Sequence, residues 1–278
     1  MRVTTRNVQE FKKKGQRFAV LTAYDYPTAK LVEEAGVPVI LVGDSLGQVV
    51  LGYDSTVKVT MEEMLHHTKA VVRGTERAMV VGDMPFLSYN LDSAQALQNA
   101  GRFLQEAGAQ AVKLEGGVQV ADTVKRITEA GIPVMGHIGL TPQSVHQLGG
   151  YRVKGKTSAE AHELVEDALA LEAAGAFAVV LELIPTSVAE TISQRLTVPT
   201  IGIGAGVACD AQVQVINDML GLNTDFVPKH AKQYATLGDT MRDAIAAYAA
   251  EVQAGTFPTD KESFLTEDSI LKDIKNVT

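Results

Sequence analysis

The sequence predicts a closed (β/α)8 barrel, the TIM-barrel class of α/β folds, formed by one domain over residues 1–278. The first observation is a repeated pattern in which a helical stretch ends in Ala-Gly and a β-branched apolar strand follows closely, at 33–44, 105–116, 128–139 and 171–184. Strands that are apolar at nearly every position are typical of parallel sheets, which are buried on both faces. The second observation is the alternation of strands with helices, and the third is the length of 278 residues, which suits a fold of about 250 residues.

Eight strands are predicted from these patterns, at 18–24, 37–43, 78–83, 110–115, 133–138, 177–183, 199–203 and 213–217. Six helices are predicted between them, at 27–35, 61–73, 92–107, 118–130, 158–174 and 186–195. The residues before 18 are expected to form an N-terminal helical extension that closes the bottom of the barrel. An alanine-rich helix is expected at 231–254. The link at 204–212 is too short for a full helix, so no helix is predicted between the seventh and eighth strands.

Two connections, 44–60 and 139–157, are long for loops between a strand and a helix, which usually span two to six residues. Both follow the C-terminal end of a strand, the face at which barrel enzymes carry their active sites. We therefore expect both loops to line a site, and the loop at 44–60 to lie over it.

Composition and charge exclude several classes of function. The net charge of −8 argues against nucleic acid as a partner, because binding to phosphates requires a basic face. An anionic small molecule stays possible, since a bound metal can reverse the local charge. The single cysteine, Cys209, excludes an internal disulfide and a cysteine-ligated zinc site and suits a reducing compartment. No signal peptide and no apolar run of about 20 residues is found, so we expect no membrane partner and a cytoplasmic location.

Carboxylates stand at the ends of three consecutive predicted strands. Asp44 and Asp83 each follow a Val-Gly pair, and Glu115 ends the fourth strand. A lone Asp after a strand is more often a helix N-cap. The repeated ending on adjacent strands instead predicts that the side chains converge, and oxygen ligands without cysteine select a hard cation such as Mg²⁺.

Three further polar side chains interrupt apolar strands. Lys113 is predicted to hold a substrate oxyanion, or else only to pair with a carboxylate. His137 is either a hydrogen-bonded core histidine or an active-site residue beside a long loop. Glu182 lies among apolar residues and suits a general base, although an ion pair with Lys113 is the plainer interpretation.

The chain strongly resembles the ketopantoate hydroxymethyltransferase (3-methyl-2-oxobutanoate hydroxymethyltransferase) family. The resemblance lies in collinear stretches that span nearly the whole chain: LTAYDYPTAKLVEEAG, VGDSLGQVVLGYDSTVKVTMEEMLHHTKAV, VGDMPFLSY, AVKLEGG, MGHIGLTPQSVHQLGGYRVKGK, TVPTIGIGAG and GTFPTDKESF. The second and the fifth of these are long enough to be highly specific.

The resemblance implies a barrel similar to the phosphoenolpyruvate/pyruvate superfamily and an enzyme of pantothenate biosynthesis. Such an enzyme transfers a hydroxymethyl group from 5,10-methylenetetrahydrofolate to 3-methyl-2-oxobutanoate through an enolate stabilised by Mg²⁺. The partners implied are the 2-oxo acid, the folate and other copies of the chain, in a homodecamer. The site residues that carry over are metal ligands, substrate contacts and a general base: for the metal Asp44, Asp83 and Glu115, for the substrate Asp44, Ser45, Asp83, Lys113 and His137, and as the base Glu182.

The chain departs from the family pattern at three positions, with Leu183 in place of a common Cys, Ala211 in place of Gly and Asn217 in place of a frequent His. None of them is a proposed ligand, so we expect them to affect packing or the folate pocket. Two other functions are compatible with the residues. One is a lyase of the same superfamily that cleaves a C–C bond beside a 2-oxo acid, and the other is a non-catalytic barrel that binds a metal or an anion.

Overall fold

The computed structural model describes residues 1–223, 227–266 and 270–271, and within them eight parallel strands form a closed barrel in the order β1 to β8. Each strand pairs with the next along the chain, and the last pairs with the first. The strands are β1 (Phe18–Thr22), β2 (Val39–Val42), β3 (Met79–Asp83), β4 (Ala111–Glu115), β5 (Val134–Gly139), β6 (Ala178–Glu182), β7 (Thr200–Ile203) and β8 (Ala211–Gln214). The predicted fold class is confirmed.

The helices of the described residues include every helix that the sequence predicts. They are α1 (Thr5–Lys13), α2 (Tyr26–Glu34), α3 (Leu46–Val49), α4 (Met61–Arg73), α5 (Ser93–Gln105), α6 (Ala121–Glu129), α7 (Val145–Leu148), α8 (Ser158–Ala173), α9 (Thr186–Arg195), α10 (Ile216–Met219) and α11 (Leu237–Ala254). Short 3-10 turns lie at Thr56–Lys58, Val118–Val120 and Pro142–Ser144. The two long loops are therefore partly helical. No helix in the described part of the chain is both long and apolar enough to cross a membrane.

The eighth strand lies two residues earlier than predicted, at Ala211–Gln214 rather than at 213–217. Its side chains alternate between buried and more exposed positions. Ala211 and Val213 are buried and Gln212 is exposed, as Ala19 is on the neighbouring β1. Ile216 and Asn217, which were predicted to end the strand, lie in α10 instead. The last long helix also begins later, at Leu237 rather than at 231.

The interior of the barrel forms its own apolar core, which α1 closes at the N-terminal ends of the strands. Val8 is fully buried and belongs to the same cluster as the inward-facing side chains of the strands. The rings of Phe11 and Phe18 stack with their centroids 5.0 Å apart. Lys12 Nζ lies 2.9 Å from Asp210 Oδ2 and fastens the helix to the start of β8. This end of the barrel is therefore packed, and chemistry is restricted to the other end.

A second core fills the space between the strands and the surrounding helices, and two glycines set its closest contacts. A Cβ atom at Gly82 would overlap the ring of Phe103 on α5, and one at Gly136 would lie 2.7 Å from Leu171 Cδ1 on α8. Only glycine lets these helices approach so closely. Because Gly82 precedes Asp83 and Gly136 precedes His137, this packing also positions two of the polar side chains described below.

Candidate active site

A cavity of about 1010 Å³ opens at the C-terminal ends of the strands. The residues that the sequence predicts for the site all line it: Asp44, Ser45, Asp83, Lys113, Glu115, His137 and Glu182. Residues of both long loops line it too, among them Gln48 and Thr56 from 44–60 and Tyr151 from 139–157. The structure therefore brings together every side chain that the sequence predicts for the site.

The two-residue period of a strand explains why these side chains meet. Residues two apart face the same side of a strand, so the inward-facing series Val81–Asp83 and Val180–Glu182 run from the apolar core to its open end. The register of the barrel then aligns neighbouring strands. Asp83 lies opposite Lys113, and Glu115 lies opposite His137.

Lys113 and Asp83 form a buried ion pair at the centre of the site. Lys113 Nζ donates to both carboxylate oxygens of Asp83, at 2.7 Å each, and lies 4.0 Å from Glu115 Oε1. Burial disfavours the charged lysine, but the carboxylates of Asp83, Glu115 and Asp44 outweigh it and raise the Lys113 pKa above its ordinary value. The predicted ion pair between Lys113 and Glu182 is wrong. The carboxylates that lie beside the Lys113 ammonium are those of Asp83 and Glu115.

Asp44 adds a third buried carboxylate to this cluster. Its backbone N–H donates to Asp83 Oδ2 at 3.3 Å, and its side chain is only 5% exposed. Burial raises the Asp44 pKa well above its usual range, and the charges of Asp83 and Glu115 raise it further, against the opposing effect of Lys113. Burial and the neighbouring carboxylates therefore disfavour a further negative charge at Asp44.

Gln143, which the sequence analysis missed, connects two of the three carboxylates. Its Nε2 donates to Asp44 Oδ2 at 2.9 Å and to the carbonyl of Met84 at 3.0 Å, and its backbone N–H donates to Glu115 Oε2 at 3.1 Å. The hydroxyl of Tyr89 donates to Gln143 Oε1 at 2.6 Å. Both residues lie outside the strands. The signal that could have found them is their presence in two of the family stretches, since no periodicity marks a loop residue.

His137 and Glu182 form a separate pair on the neighbouring strands. His137 Nε2 lies 3.1 Å from Glu182 Oε2, and His137 Nδ1 lies 3.5 Å from Glu115 Oε1, although neither contact has the alignment of a good hydrogen bond. Burial and the charge of Lys113 lower the pKa of His137, but the two carboxylates outweigh them and raise it to about 9. The imidazole is therefore protonated at neutral pH and carries a positive charge towards Glu182.

Ser45 is held by an aromatic residue at the end of β1. The hydroxyl groups of Tyr24 and Ser45 lie 2.8 Å apart, and the Tyr24 carbonyl is 2.7 Å from His67 Nδ1 on α4. Burial raises the pKa of the Tyr24 phenol, so it stays neutral and can donate to Ser45. This contact fixes the side chain that follows Asp44.

The donor atoms at the site fit a hard cation, although their present arrangement does not form a complete coordination sphere. No group of three His, Cys, Asp or Glu side chains in the described part of the chain is arranged to hold a metal ion. Both oxygens of Asp83 accept from Lys113, and Glu115 Oε2 accepts from Gln143. Glu115 Oε1, however, is buried without a hydrogen-bond partner, which is costly for a carboxylate oxygen. Carboxylate oxygens without sulfur select Mg²⁺ or a similar ion, so these residues fit the predicted metal.

Comparisons with known proteins agree on one family. The sequence model of a family described as ketopantoate hydroxymethyltransferase matches residues 2–260. A protein of Dehalococcoides mccartyi (strain CBDB1) named 3-methyl-2-oxobutanoate hydroxymethyltransferase is 63% identical over 275 residues, which cover 99% of both chains. One of the same name from Carboxydothermus hydrogenoformans is 58% identical over 273 residues, which cover 98% of this chain and 99% of the other.

Solved structures of more distant proteins share the fold. Phosphonopyruvate hydrolase superposes with a TM-score of 0.60 at 14% identity, over 97% of this chain and 94% of the other. A 2,3-dimethylmalate lyase, described as a member of the PEP mutase/isocitrate lyase superfamily, gives a TM-score of 0.60 at 17% identity, over 98% and 95% of the two chains. These matches show that the (β/α)8-barrel fold is shared.

We predict that Lys113→Met lowers the free energy of unfolding by about 3–5 kcal/mol when metal is removed with EDTA, because it leaves Asp83 buried without its partner. The loss should be larger at pH 8 than at pH 5. Lys113 lowers the pKa values of both Asp44 and Asp83, so both pKa values rise further in the variant. A carboxyl group whose pKa is raised by folding contributes stability at low pH and loses it as the pH rises.

Urea denaturation of both proteins at the two pH values measures this difference. The matched control is Lys125→Met, which removes an exposed lysine of α6 and should change stability by no more than about 0.5 kcal/mol. Equal losses at pH 5 and pH 8 would contradict the charge balance described for the cluster.

Proposed function

The chain belongs to the ketopantoate hydroxymethyltransferase family and is an enzyme, and from that membership we propose the reaction in full. It transfers a hydroxymethyl group from 5,10-methylenetetrahydrofolate to 3-methyl-2-oxobutanoate and gives ketopantoate, in pantothenate biosynthesis in the cytoplasm. The methylene carbon comes from the folate, the hydroxyl oxygen comes from water, and tetrahydrofolate is released. A lyase and a non-catalytic barrel are both set aside, because the relatives at 55–63% identity are named as hydroxymethyltransferases.

The observation that carries this proposal is the division of the cavity into two groups. Asp44, Asp83, Lys113 and Glu115 form one cluster, while Glu182 lies beside His137 and outside the hydrogen bonds of that cluster. A reaction that forms a carbanion beside a 2-oxo group needs both parts. The cluster binds and polarises the oxo acid, and a separate base removes its proton.

We propose that Asp44, Asp83 and Glu115 hold Mg²⁺, and that Ser45, Lys113 and His137 contact the 2-oxo acid. When bound, the cation draws electron density from the oxo group and so stabilises the enolate form of the substrate. Phosphonopyruvate hydrolase, which shares the barrel, has been solved in complex with oxalate and Mg⁺⁺. The Lys113 ammonium supplies a fixed positive charge for an anionic substrate, and the Ser45 hydroxyl supplies a donor beside it.

We predict that Asp44→Asn abolishes Mg²⁺ binding, because the amide removes a charge and offers a weaker ligand oxygen. Calorimetric titration of the EDTA-treated enzyme should show one site per chain in the unchanged protein. The affinity of the variant for Mg²⁺ should fall by more than the roughly 10–100-fold that is expected for a residue that only orients a ligand. The control is Asp239→Asn on α11, whose carboxylate pairs with Arg242 in solvent. Unchanged Mg²⁺ affinity in Asp44→Asn, or full activity in EDTA, would contradict the assignment.

Glu182 is proposed as the general base. It takes the proton from C3 of 3-methyl-2-oxobutanoate, and C3 then forms its new bond to the methylene carbon of the donor. The side chain ends β6 with a fractional exposure of 14%, so it reaches the cavity but is largely shielded from water. The nearby His137 imidazolium balances its charge before the substrate binds.

We predict that Glu182→Gln slows the exchange of the C3 proton for deuterium by a factor on the order of 10²–10⁴, the usual contribution of a general base. Exchange is followed by NMR in D₂O with Mg²⁺ and without folate, so that only proton removal is measured. Binding of Mg²⁺ and of the oxo acid should persist, because the amide keeps the shape of the side chain. Glu190→Gln on the solvent side of α9 is the matched control.

Two results would contradict this role. Exchange at the rate of the unchanged enzyme, with hydroxymethyl transfer lost, would place Glu182 in a later step. Loss of oxo acid binding together with exchange would make Glu182 a binding residue rather than the base.

We also propose that the chain assembles into a homo-oligomer, a decamer by family resemblance. Helix α11 contains no buried residue. Apolar side chains recur on it every three or four residues and are 37–64% exposed: Leu237, Met241, Ile245, Tyr248 and Val252. A helical stripe of this kind is usually covered in the folded protein. A second copy of the chain is the partner that the resemblance implies.

Sedimentation should therefore give a mass several times the 29.7 kDa of one chain at micromolar concentration. The double variant Met241→Glu with Ile245→Glu should shift the distribution towards smaller species, since it places charges in the apolar stripe. Arg242→Ala, on the polar side of the same helix, should leave it unchanged. A mass near 30 kDa for the unchanged protein would overturn the proposal.

A further inference from the structure

We infer that Asp218 recognises the pterin ring of the one-carbon donor, through the ring edge that carries the 2-amino group and N3–H. This inference rests on the proposed function, which requires a folate in the cavity. It adds a residue to which neither the sequence analysis nor the family resemblance gives a role.

The position of Asp218 suits a second substrate. It lies on α10, directly after β8, and lines the same cavity as the carboxylate cluster. In a closed barrel of eight strands β8 is diametrically opposite β4, which carries Lys113 and Glu115. Glu182 on β6 is two strands from each. An oxo acid at β4 and a donor at β8 would therefore approach each other across the cavity, with the base between them.

The chemistry of Asp218 suits a ligand with two adjacent donors. The residue is only 7% exposed, and among the residues that the structure describes its Oδ1 accepts a hydrogen bond from Asn223 Nδ2 at 2.9 Å. Among the ion pairs of the described residues, none includes Asp218. A buried carboxylate is costly unless it is paired. The 2-amino group and N3–H of a pterin lie side by side and can donate to the two oxygens of one carboxylate, a strong and geometrically specific arrangement.

The backbone around Asp218 is fixed in place, as a specific contact requires. The N–H of Ile216 donates to Thr22 Oγ1 at 2.9 Å, which ties α10 to β1. Asn217 Nδ2 donates to the Val49 carbonyl at 3.4 Å, which ties it to the loop at 44–60. Asn217 is one of the departures from the family pattern, and its contact shows that this position orients α10. The carboxylate of the next residue is thus held on a rigid support.

The charge at the cavity mouth matches the other end of a folate. Arg152 and Lys229 are exposed and line the rim of the same cavity. A folate carries hydrogen-bond donors on its pterin ring and carboxylates on its glutamate tail. A buried carboxylate inside and cations at the rim therefore orient it with the pterin inward, where its methylene carbon is needed.

The plainer interpretation of Asp218 is structural, since its bond to Asn223 could serve only to hold the following loop. The two interpretations differ in what Asn223 does. If Asp218 only anchors the loop, removing the Asn223 amide should have the same effect as removing the carboxylate. If Asp218 binds the pterin, the carboxylate should act without that amide.

The test measures the affinity of tetrahydrofolate for the Mg²⁺-loaded enzyme by calorimetry. Asp218→Asn should weaken binding about 10–100-fold, the usual effect of losing hydrogen bonds to a charged group. A tetrahydrofolate analogue that lacks the 2-amino group should bind the unchanged enzyme more weakly by a similar factor. The affinity of this analogue should fall little further in Asp218→Asn, because the loss of the amino group and the loss of the carboxylate remove the same contact. Asn223→Ala should keep tetrahydrofolate affinity within about threefold, since the carboxylate is retained.

Exchange of the C3 proton without folate serves as the control for folding, and it should be unchanged in Asp218→Asn. Equal tetrahydrofolate affinity in Asp218→Asn and the unchanged enzyme would overturn the inference while leaving the proposed function intact. Equal losses in Asn223→Ala and Asp218→Asn would also overturn it and assign Asp218 to the loop. Failure of the unchanged enzyme to bind tetrahydrofolate at all would instead reject the proposed donor. The comparison of the two folates on the unchanged enzyme remains informative even if the variant does not fold.

Discussion

The buried ion pair between Lys113 and Asp83 is the interaction on which the rest of the site depends. A carboxylate or an ammonium alone at this depth would be strongly disfavoured, and each makes the other tolerable only because they are 2.7 Å apart. That distance follows from the register of β3 and β4, in which the two residues lie opposite each other. The sheet therefore determines where positive charge can be placed, and the other carboxylates collect around it.

The closed barrel restricts this cluster to one end. At the N-terminal end of the barrel the inward-facing side chains, such as Val39 and Met79, are apolar. Helix α1 closes this end with Val8. Water and substrate can enter only from the side where the strands end. Charged side chains at the last inward-facing positions are thus buried by their neighbours yet accessible to a ligand. Placing the same residues two positions earlier would bury them in a dry core without any partner from the loops.

The success of sequence-based prediction here follows from periodicity. Asp83, Lys113, Glu115, His137 and Glu182 interrupt strands with a two-residue period, so their common face is predictable without a structure. What the period does not describe was missed: Gln143 lies in a 3-10 turn, and its contacts to Asp44 and Glu115 depend on how the loop folds back. The predicted ion-pair partner of Lys113 was also wrong, because the choice between Asp83 and Glu182 depends on the register of the strands rather than on composition. The start of β8 was also predicted two residues too late, and the observed strand alternates between buried and more exposed side chains.

The balance of charge is a reason to propose a base that is separate from the carboxylates around Lys113. A carboxylate in contact with Lys113 would be stabilised in its charged form and would accept a proton poorly. Glu182 instead lies beside His137, with its Oε2 3.1 Å from His137 Nε2, and outside the hydrogen bonds of Lys113. The site combines two basic side chains, Lys113 and His137, with four carboxyl groups, Asp44, Asp83, Glu115 and Glu182. Burial disfavours the charged forms of Asp44 and Asp83 and raises the pKa values of both. A divalent cation bound by these carboxylates would stabilise their charged forms, and it would offset their repulsion of an anionic oxo acid. The number of carboxyl groups that these strands carry is therefore an argument for the proposed metal that does not depend on ligand geometry.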